Sequence, residues 1–244
     1  MPDSENIPSV KDMKIKIFSD GADLDSIIEA YNGGLVKGFT TNPTLMSKAG
    51  ITNYLAFATE VLRVVTDMSV SFEVFSDDFA SMKEQALKLA KLADNVYVKI
   101  PVTNTKQESA APLIKDLAGQ GLKLNVTAIL SLRQVEEVAA ALNPDVPAIV
   151  SVFAGRIADT GRDPLPVMKE ALEILKPLPK AELLWASPRE ALNIMQAEEI
   201  GCHIITVTPG VLAKTKNFNK DLEQFSLETV KMFYNDAEKS GFSI

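Results

Sequence analysis

One lysine lies in a stretch that otherwise has the pattern of a buried β-strand. Residues 95–100 read Asn-Val-Tyr-Val-Lys-Ile, so apolar residues alternate with Tyr97 and Lys99. Side chains alternate between the two faces of a strand, and the apolar face must pack against a layer of helices. Lys99 is therefore predicted to point the other way, into the interior of the sheet structure.

A lysine in that position suggests a particular chemistry. An amine between apolar walls loses stabilisation of its charged form, so the pKa of Lys99 is expected to fall. A free amine can attack the carbonyl of a ketone or aldehyde and form a Schiff base. An internal ion pair with Glu73 or Asp20 is the structural alternative, and it is compatible with the same chemistry in the resting protein.

Further polar residues follow the same alternation on neighbouring strands. An unpaired buried polar group costs about 1–3 kcal/mol, so a concentration of such groups indicates a functional site rather than core packing. The side chains predicted to point towards the same mouth as Lys99 are those of Asp20, Asn42, Glu73, Asn125, Thr127 and Ser151.

The elements that would position these residues are eight strands separated by helical patterns. Such alternation over one chain of 244 residues predicts a single (β/α)8 TIM barrel domain spanning residues 1–244, whose active site would lie at the carboxyl ends of the strands. A doubly wound open sheet is the alternative. The strands are predicted at residues 14–19, 36–40, 69–75, 95–100, 122–128, 148–153, 182–186 and 203–207.

An amphipathic C-terminal helix is predicted beyond the barrel, at about residues 221–239. Leu222, Phe225, Val230 and Phe233 recur along it at helical spacing. This apolar stripe would pack either on the chain's own barrel or on another subunit.

Composition excludes several classes of protein. The chain carries a net charge of -7 and has no basic run, which argues against a general nucleic-acid binder. Its single Cys202 and single His203 exclude an internal disulfide framework and a Cys/His zinc cluster. No apolar run is long enough to span a bilayer, and the polar, acidic first residues lack the pattern of a signal peptide. We therefore expect a cytoplasmic protein with no membrane partner.

Five motifs, in order along the chain, resemble those of one known family. The first is Thr-Thr-Asn-Pro-Thr at residues 40–44, which resembles T-T-N-P-S/T. Val-Lys-Ile-Pro-Val-Thr at residues 98–103 is similar to the family's Schiff-base segment, and Ser-Val-Phe-Ala-Gly-Arg-Ile at residues 151–157 is similar to S-x-F-x-G-R-I. Asn-Val-Thr at 125–127 and Ser-Pro-Arg at 187–189 also match, the last in place of the commoner S-F-[RK]. Together these motifs resemble those of the transaldolase family, and the likeness covers about residues 14–210.

The resemblance implies a class I aldolase barrel without a metal or organic cofactor. It gives Lys99 as the Schiff-base nucleophile and Asp20 as the acid/base at the bond being broken. Glu73 and Thr127 match the pair that positions a catalytic water.

Substrate-binding roles are implied in the same way. Asn42 and Asn125 match residues that hold the hydroxyls of a dihydroxyacetone unit, with Ser151 beside them. Thr40 belongs to the first motif and is included among the binding residues. Phe153 matches an aromatic wall of the pocket.

Three residues match a site for the substrate phosphate, namely Arg156, Ser187 and Arg189. The charge of the protein supports this assignment, because an acidic protein must concentrate local positive charge to bind a phosphorylated sugar, and guanidinium groups suit phosphate geometry.

The implied activity is that of a transaldolase in the pentose phosphate pathway, acting as a homo-oligomer. It would transfer a dihydroxyacetone unit from sedoheptulose 7-phosphate or fructose 6-phosphate to an aldose phosphate. Two alternatives remain, a fructose-6-phosphate aldolase and a non-catalytic sugar-phosphate-binding barrel. Glu73 and Phe153 are similar to the residues that transaldolases have at these positions, whereas the resemblance gives Gln and Tyr for the aldolases. A tyrosine hydroxyl could protonate an enamine, and a phenylalanine cannot.

Overall fold

Eight parallel strands close into a barrel in the computed structural model, which describes residues 7–242. Each strand pairs with the next along the chain, and the last pairs with the first. The closed barrel confirms the predicted fold and excludes the open sheet, and the ends of the predicted strands differ from the observed ones by two residues or fewer. The strands are β1 (Lys16–Asp20), β2 (Gly38–Thr40), β3 (Ser69–Glu73), β4 (Val96–Pro101), β5 (Leu124–Ile129), β6 (Ala148–Val152), β7 (Ala181–Trp185) and β8 (Ile204–Val207).

Helices connect the strands, and most of them begin at a Ser, Thr, Asp or Asn that caps the first turn. Asp78, for example, accepts a hydrogen bond from the backbone N–H of Ser81, and Ser131 forms a capping box with Gln134. The helices are α1 (Leu24–Asn32), α2 (Pro43–Lys48), α3 (Tyr54–Val64), α4 (Phe79–Ala90), α5 (Ala111–Gly119), α6 (Leu132–Ala141), α7 (Ala154–Asp159), α8 (Leu165–Leu175), α9 (Leu192–Glu199), α10 (Pro209–Ala213) and α11 (Leu222–Ser240).

The short helices α2, α7 and α10 were not predicted as separate elements. Each begins two or three residues after the end of a strand, at the mouth of the barrel. A helix of five or six residues shows too little periodicity to be recognised in a sequence.

The main core lies between the barrel and its helices. The outward residues of β4, Val96, Val98 and Ile100, are buried in this layer, as their alternation predicts. The largest fully buried side chain, that of Trp185, lies in the same layer on β7.

A smaller apolar cluster fills the interior of the barrel below its mouth. The ring of Phe18 crosses to β2, where a Cβ on Gly38 would lie 2.5 Å from it, so only glycine leaves room for the ring. The cluster gives the cavity above it an apolar floor, and its buried members are Phe18, Ile149, Leu184, Ala186 and Ile204.

Helix α11 confirms the predicted C-terminal helix, although it does not pack on its own barrel. None of its residues is buried, and the side chains of Leu222 and Phe233 are 79% and 63% exposed. No helix within the described residues is both long and apolar enough to cross a membrane.

Candidate active site

The carboxyl ends of the strands open onto a cavity of about 590 Å³. This volume is in the range of small-molecule sites. All twelve residues that the sequence singled out border it, namely Asp20, Thr40, Asn42, Glu73, Lys99, Asn125, Thr127, Ser151, Phe153, Arg156, Ser187 and Arg189.

Lys99 is a buried member of this group, with only 6% of the residue exposed. It points into the barrel, as the strand alternation predicts. Its Nζ donates to the backbone oxygen of Thr41 at 2.8 Å and forms an ion pair with Glu73 Oε2 at 3.1 Å. The parallel register explains the contact, because Glu73, Lys99 and Asn125 are aligned across β3, β4 and β5. The ion pair between Lys99 and Glu73, which the sequence offered as the structural alternative to a reactive amine, is therefore present. The amine also borders the cavity.

The second carboxylate, Asp20, is held by hydroxyl groups. Thr40 Oγ1 donates to Asp20 Oδ1 at 2.7 Å, and Thr40 and Thr206 share a hydrogen bond of 2.5 Å. Thr40 has one hydroxyl proton, so Thr206 must be the donor to Thr40. Burial raises the pKa of Asp20 above its ordinary value, although the Thr40 hydrogen bond and the charge of Lys99 act in the opposite direction.

Asn125 connects three strands beneath the cavity. Its Nδ2 donates to Ser71 Oγ at 3.0 Å, and its Oδ1 accepts from Ser151 Oγ at 2.6 Å. All three residues are buried. The side chain is therefore fixed from both sides at the level of the amine.

Asn42 caps α2 and borders the cavity. Its Oδ1 accepts from the backbone N–H of Leu45 at 2.9 Å, which fixes the orientation of the amide. The amide nitrogen forms no hydrogen bond to any of residues 7–242, so it can donate to a hydroxyl in the cavity.

Thr127 is a buried residue whose hydroxyl has no hydrogen-bond partner among the described residues. It lies at an irregularity in β5, where the pairing with β6 shifts between Val126 and Ile129 and Ala128 has a φ of 62°. Buried hydroxyl groups are usually satisfied by protein, water or ligand. The hydroxyl of Thr127 can therefore bind a water or a substrate atom.

Two arginines border the side of the mouth opposite to α2. Arg156 lies on α7, and Arg189 lies in the segment that follows β7. The guanidinium of Arg156 lies 5.7 Å from the centre of the Phe153 ring. Arg189 pairs with Asp159, donating from Nε to Oδ1 at 2.9 Å and from Nη2 to Oδ2. The pairing lowers the pKa of Asp159 and raises that of Arg189.

The backbone between these arginines is close-packed. A Cβ on Gly155 would lie 1.6 Å from the backbone oxygen of Ser187, so no other residue fits there without movement of the chain. Ser187 itself has a φ of 61°, a left-handed conformation that is uncommon outside glycine. This contact fixes α7 against the segment that follows β7.

Sequence reasoning missed two residues at the mouth. Lys48 borders the cavity and Asp159 contacts Arg189, although neither was singled out. Thr206 also borders the cavity, and alternation along β8 predicts its inward position, although the sequence assigns it no role. Lys48 and Asp159 lie on short helices whose exposed positions have no distinguishing pattern.

The single cysteine and histidine lie away from the cavity. Cys202 is buried, and burial raises the pKa of its thiol to about 12. His203 Nδ1 accepts from the backbone N–H of Leu183 at 3.0 Å. Within residues 7–242, no three His, Cys, Asp or Glu side chains are grouped so that they could hold a metal ion.

Comparison with known proteins identifies relatives over nearly the whole chain. Residues 17–244 match the family model described as Transaldolase/Fructose-6-phosphate aldolase. A probable transaldolase of Nitrosopumilus maritimus (strain SCM1) is 34% identical over 226 residues, which cover 88% of this chain and 97% of that protein. A probable transaldolase of Parvibaculum lavamentivorans is 35% identical over 234 residues, which cover 94% of this chain and all of that protein.

A solved structure is similar in fold alone. A candidate phosphonomutase from Burkholderia cenocepacia J2315 superimposes with a TM-score of 0.54, covering 96% of each chain at 11% identity.

Proposed function

The chain belongs to the transaldolase/fructose-6-phosphate aldolase family, and on this premise we propose that it is a transaldolase. It would transfer a dihydroxyacetone unit from sedoheptulose 7-phosphate or fructose 6-phosphate to an aldose phosphate through a Schiff base. The observation that carries the proposal is the position of Lys99, a buried amine that borders the cavity, pairs with Glu73 and lies close enough to Asp20 for its charge to act on that carboxyl.

In the first half of the reaction, Lys99 Nζ attacks the keto carbon and forms a carbinolamine. Loss of water then gives an iminium, which withdraws electrons from the adjacent carbons. Glu73 and Thr127 would position the water that carries protons in these steps. The ion pair of Glu73 with the amine and the unpartnered hydroxyl of Thr127 support that assignment.

In the second half, Asp20 removes a proton from the substrate hydroxyl, the carbon–carbon bond breaks and an aldose phosphate leaves. The enamine that remains on Lys99 attacks the aldehyde of a second aldose phosphate, Asp20 returns its proton to the oxygen of that aldehyde, and hydrolysis of the iminium releases the new ketose. The first aldose phosphate leaves before the second one reacts, so ping-pong kinetics are expected.

The binding roles follow the walls of the cavity. Asn42 and Asn125 would hold the hydroxyls of the three-carbon unit, with Thr40 and Ser151 beside them. Arg156, Ser187 and Arg189 would bind the phosphate, with Phe153 as the wall between the two ends. The fixed amides and the two guanidinium groups at the mouth support these roles.

We also propose that the protein is a homo-oligomer of single-domain subunits. The apolar residues of α11, which are exposed along its whole length, support an interface there. A cytoplasmic location and a place in the pentose phosphate pathway stay predictions.

Transfer and aldol cleavage differ in the fate of the enamine. Phe153 has no proton to give it, which favours transfer. We therefore expect little free dihydroxyacetone from fructose 6-phosphate unless an acceptor such as erythrose 4-phosphate is present, when sedoheptulose 7-phosphate forms instead. In Phe153→Tyr, the phenol can protonate the enamine, and release of free dihydroxyacetone should rise.

Rapid release of free dihydroxyacetone by the unmodified protein without an acceptor would identify an aldolase. No reaction with any ketose phosphate would indicate a non-catalytic sugar-phosphate-binding barrel.

A further inference from the structure

The side chain of Arg189 is held by a carboxylate outside the sequence motifs that suggested the site. Asp159, the last residue of α7, accepts hydrogen bonds from both Nε and Nη2 of Arg189. This two-point contact fixes the plane of the guanidinium and leaves Nη1 outside the pair. The two residues are thirty positions apart in the chain, so the contact depends on the fold.

The backbone at Arg189 is fixed as well. Its N–H donates to Asn193 Oδ1 at 2.8 Å. Two residues before it, the chain at Ser187 lies against Gly155 of α7. Arg189 is therefore held at its backbone by one contact and at its guanidinium by another.

Arg156 differs in this respect. It lies over the ring of Phe153 and forms no ion pair with any of residues 7–242. The two arginines at the mouth therefore differ, since one is oriented by a carboxylate and the other is available to pair with an anion.

We propose that Asp159 is a positioning residue for the substrate phosphate. It holds Arg189 in the orientation that binds the phosphate, so that binding does not have to order this side chain. The proposal rests on the proposed function, because it takes a phosphorylated sugar as the ligand.

Two effects of Asp159 on phosphate binding oppose each other. Its negative charge repels the phosphate, whereas its contact with Arg189 removes the cost of ordering a long side chain. The pair is about half exposed, at 46% and 52%, so solvent and salt weaken the repulsion. Ordering one such side chain on binding costs about a 2- to 12-fold change in affinity. We therefore expect the ordering effect to be the larger one.

The test uses Asp159→Asn and borohydride trapping of the Schiff base. Fructose 6-phosphate carries a phosphate and dihydroxyacetone does not, although both are ketones that Lys99 can attack. The half-saturating concentration for adduct formation is measured for each ketone by intact mass. In the variant, the ratio of the value for fructose 6-phosphate to that for dihydroxyacetone should rise about 2- to 12-fold.

Two further variants complete the test. Glu137→Gln removes a carboxylate from an ion pair with Arg133 on α6 and changes the net charge by the same amount, so its ratio should equal that of the unmodified protein. Asp159→Glu keeps a carboxylate that can reach Arg189, and its ratio should lie between those of the unmodified protein and Asp159→Asn.

The outcomes separate the two proposals. The positioning role alone would be overturned if the ratio in Asp159→Asn were unchanged or lower, which includes equal weakening of the binding of both ketones. It would also be overturned if the ratio in Asp159→Glu were as high as that in Asp159→Asn. Failure of the unmodified protein to form an adduct with either ketone would overturn the proposed function and the positioning role with it.

Discussion

At the scale of single residues, the two carboxylates of the cavity have different surroundings. Glu73 contacts the amine of Lys99, whereas Asp20 accepts from Thr40, which in turn accepts from Thr206. The hydroxyl chain presents only donors towards Asp20 and therefore stabilises its ionised form. Two acids in different environments can perform different proton transfers in one reaction.

We expect Asp20→Asn to lose transfer activity by about 10²- to 10⁴-fold, because an amide cannot accept the proton of the substrate hydroxyl. Adduct formation on Lys99 should persist, since a different residue performs it. Transfer of the three-carbon unit from fructose 6-phosphate to erythrose 4-phosphate is the assay. The exposed Asp25 provides the control, and Asp25→Asn should retain full activity. Transfer activity in Asp20→Asn equal to that of the unmodified protein would exclude Asp20 as the acid/base of the reaction.

The same variant should be more stable than the unmodified protein, increasingly so as pH rises. Burial raises the pKa of Asp20, so its ionisation is less favourable in the folded state than in the unfolded state. The unmodified protein therefore loses stability as pH rises through the raised pKa, and the amide variant has no such loss. Thermal unfolding from acid to neutral pH measures the difference. A stability advantage of Asp20→Asn over the unmodified protein that decreases as pH rises would contradict a pKa of Asp20 raised by burial.

At the scale of elements, the phosphate end of the cavity is built from α7 and the segment after β7. Gly155 allows the backbone at Ser187 to approach α7, and Asp159 holds Arg189 across the same contact. Arg156 lies on the helix and Arg189 on the segment, so the distance between the two guanidinium groups depends on this junction. Close packing of backbone against backbone makes the junction sensitive to a single added methyl group.

Gly155→Ala should destabilise the protein by about 1–3 kcal/mol, the usual cost of overpacking a close-packed site. It should also weaken binding of fructose 6-phosphate more than that of dihydroxyacetone, since the phosphate end is displaced. Denaturant unfolding and adduct titration measure the two effects. Gly119→Ala is the matched control, because a Cβ there meets nothing within 4 Å at the end of α5, and it should be neutral or slightly stabilising. Equal stability of Gly155→Ala and Gly119→Ala would exclude close packing of Gly155 against the backbone of Ser187.

The sequence was sufficient to predict the barrel and the direction of its inward side chains. The period of two in strands such as β4 determines which residues face the cavity. Eight regularly spaced strands favour a closed barrel, whereas the exclusion of an open sheet came from the pairing of β8 with β1. The pairing of Asp159 with Arg189 and the bordering position of Lys48 could not be predicted. Both depend on how short helices lie at the mouth, which is set by tertiary packing rather than by local pattern.

At the scale of the whole molecule, α11 is the longest helix within residues 7–242, and none of its residues is buried. Its nineteen residues extend roughly 28 Å, and they include exposed leucine, valine, methionine and aromatic side chains. A helix of this kind is not stabilised by packing within its own chain, and contact with a second copy would bury its apolar face.

Phe233→Glu should therefore reduce the mass of the assembly, measured by light scattering after size exclusion. The introduced carboxylate would have to be buried at the interface without a partner. Lys231→Glu, about 160° away around the helix, introduces the same residue on a different face and should leave the mass unchanged. An unmodified protein that is a monomer would overturn the proposed assembly, and an unchanged mass in Phe233→Glu would exclude this face of α11.

The proposed function depends above all on the reactivity of the Lys99 amine. Borohydride reduction in the presence of fructose 6-phosphate, followed by peptide mapping, tests it directly. We predict one stable secondary-amine adduct, on Lys99, and no adduct in Lys99→Ala. An adduct on another lysine, or none with any ketose phosphate, would contradict the mechanism proposed for this cavity.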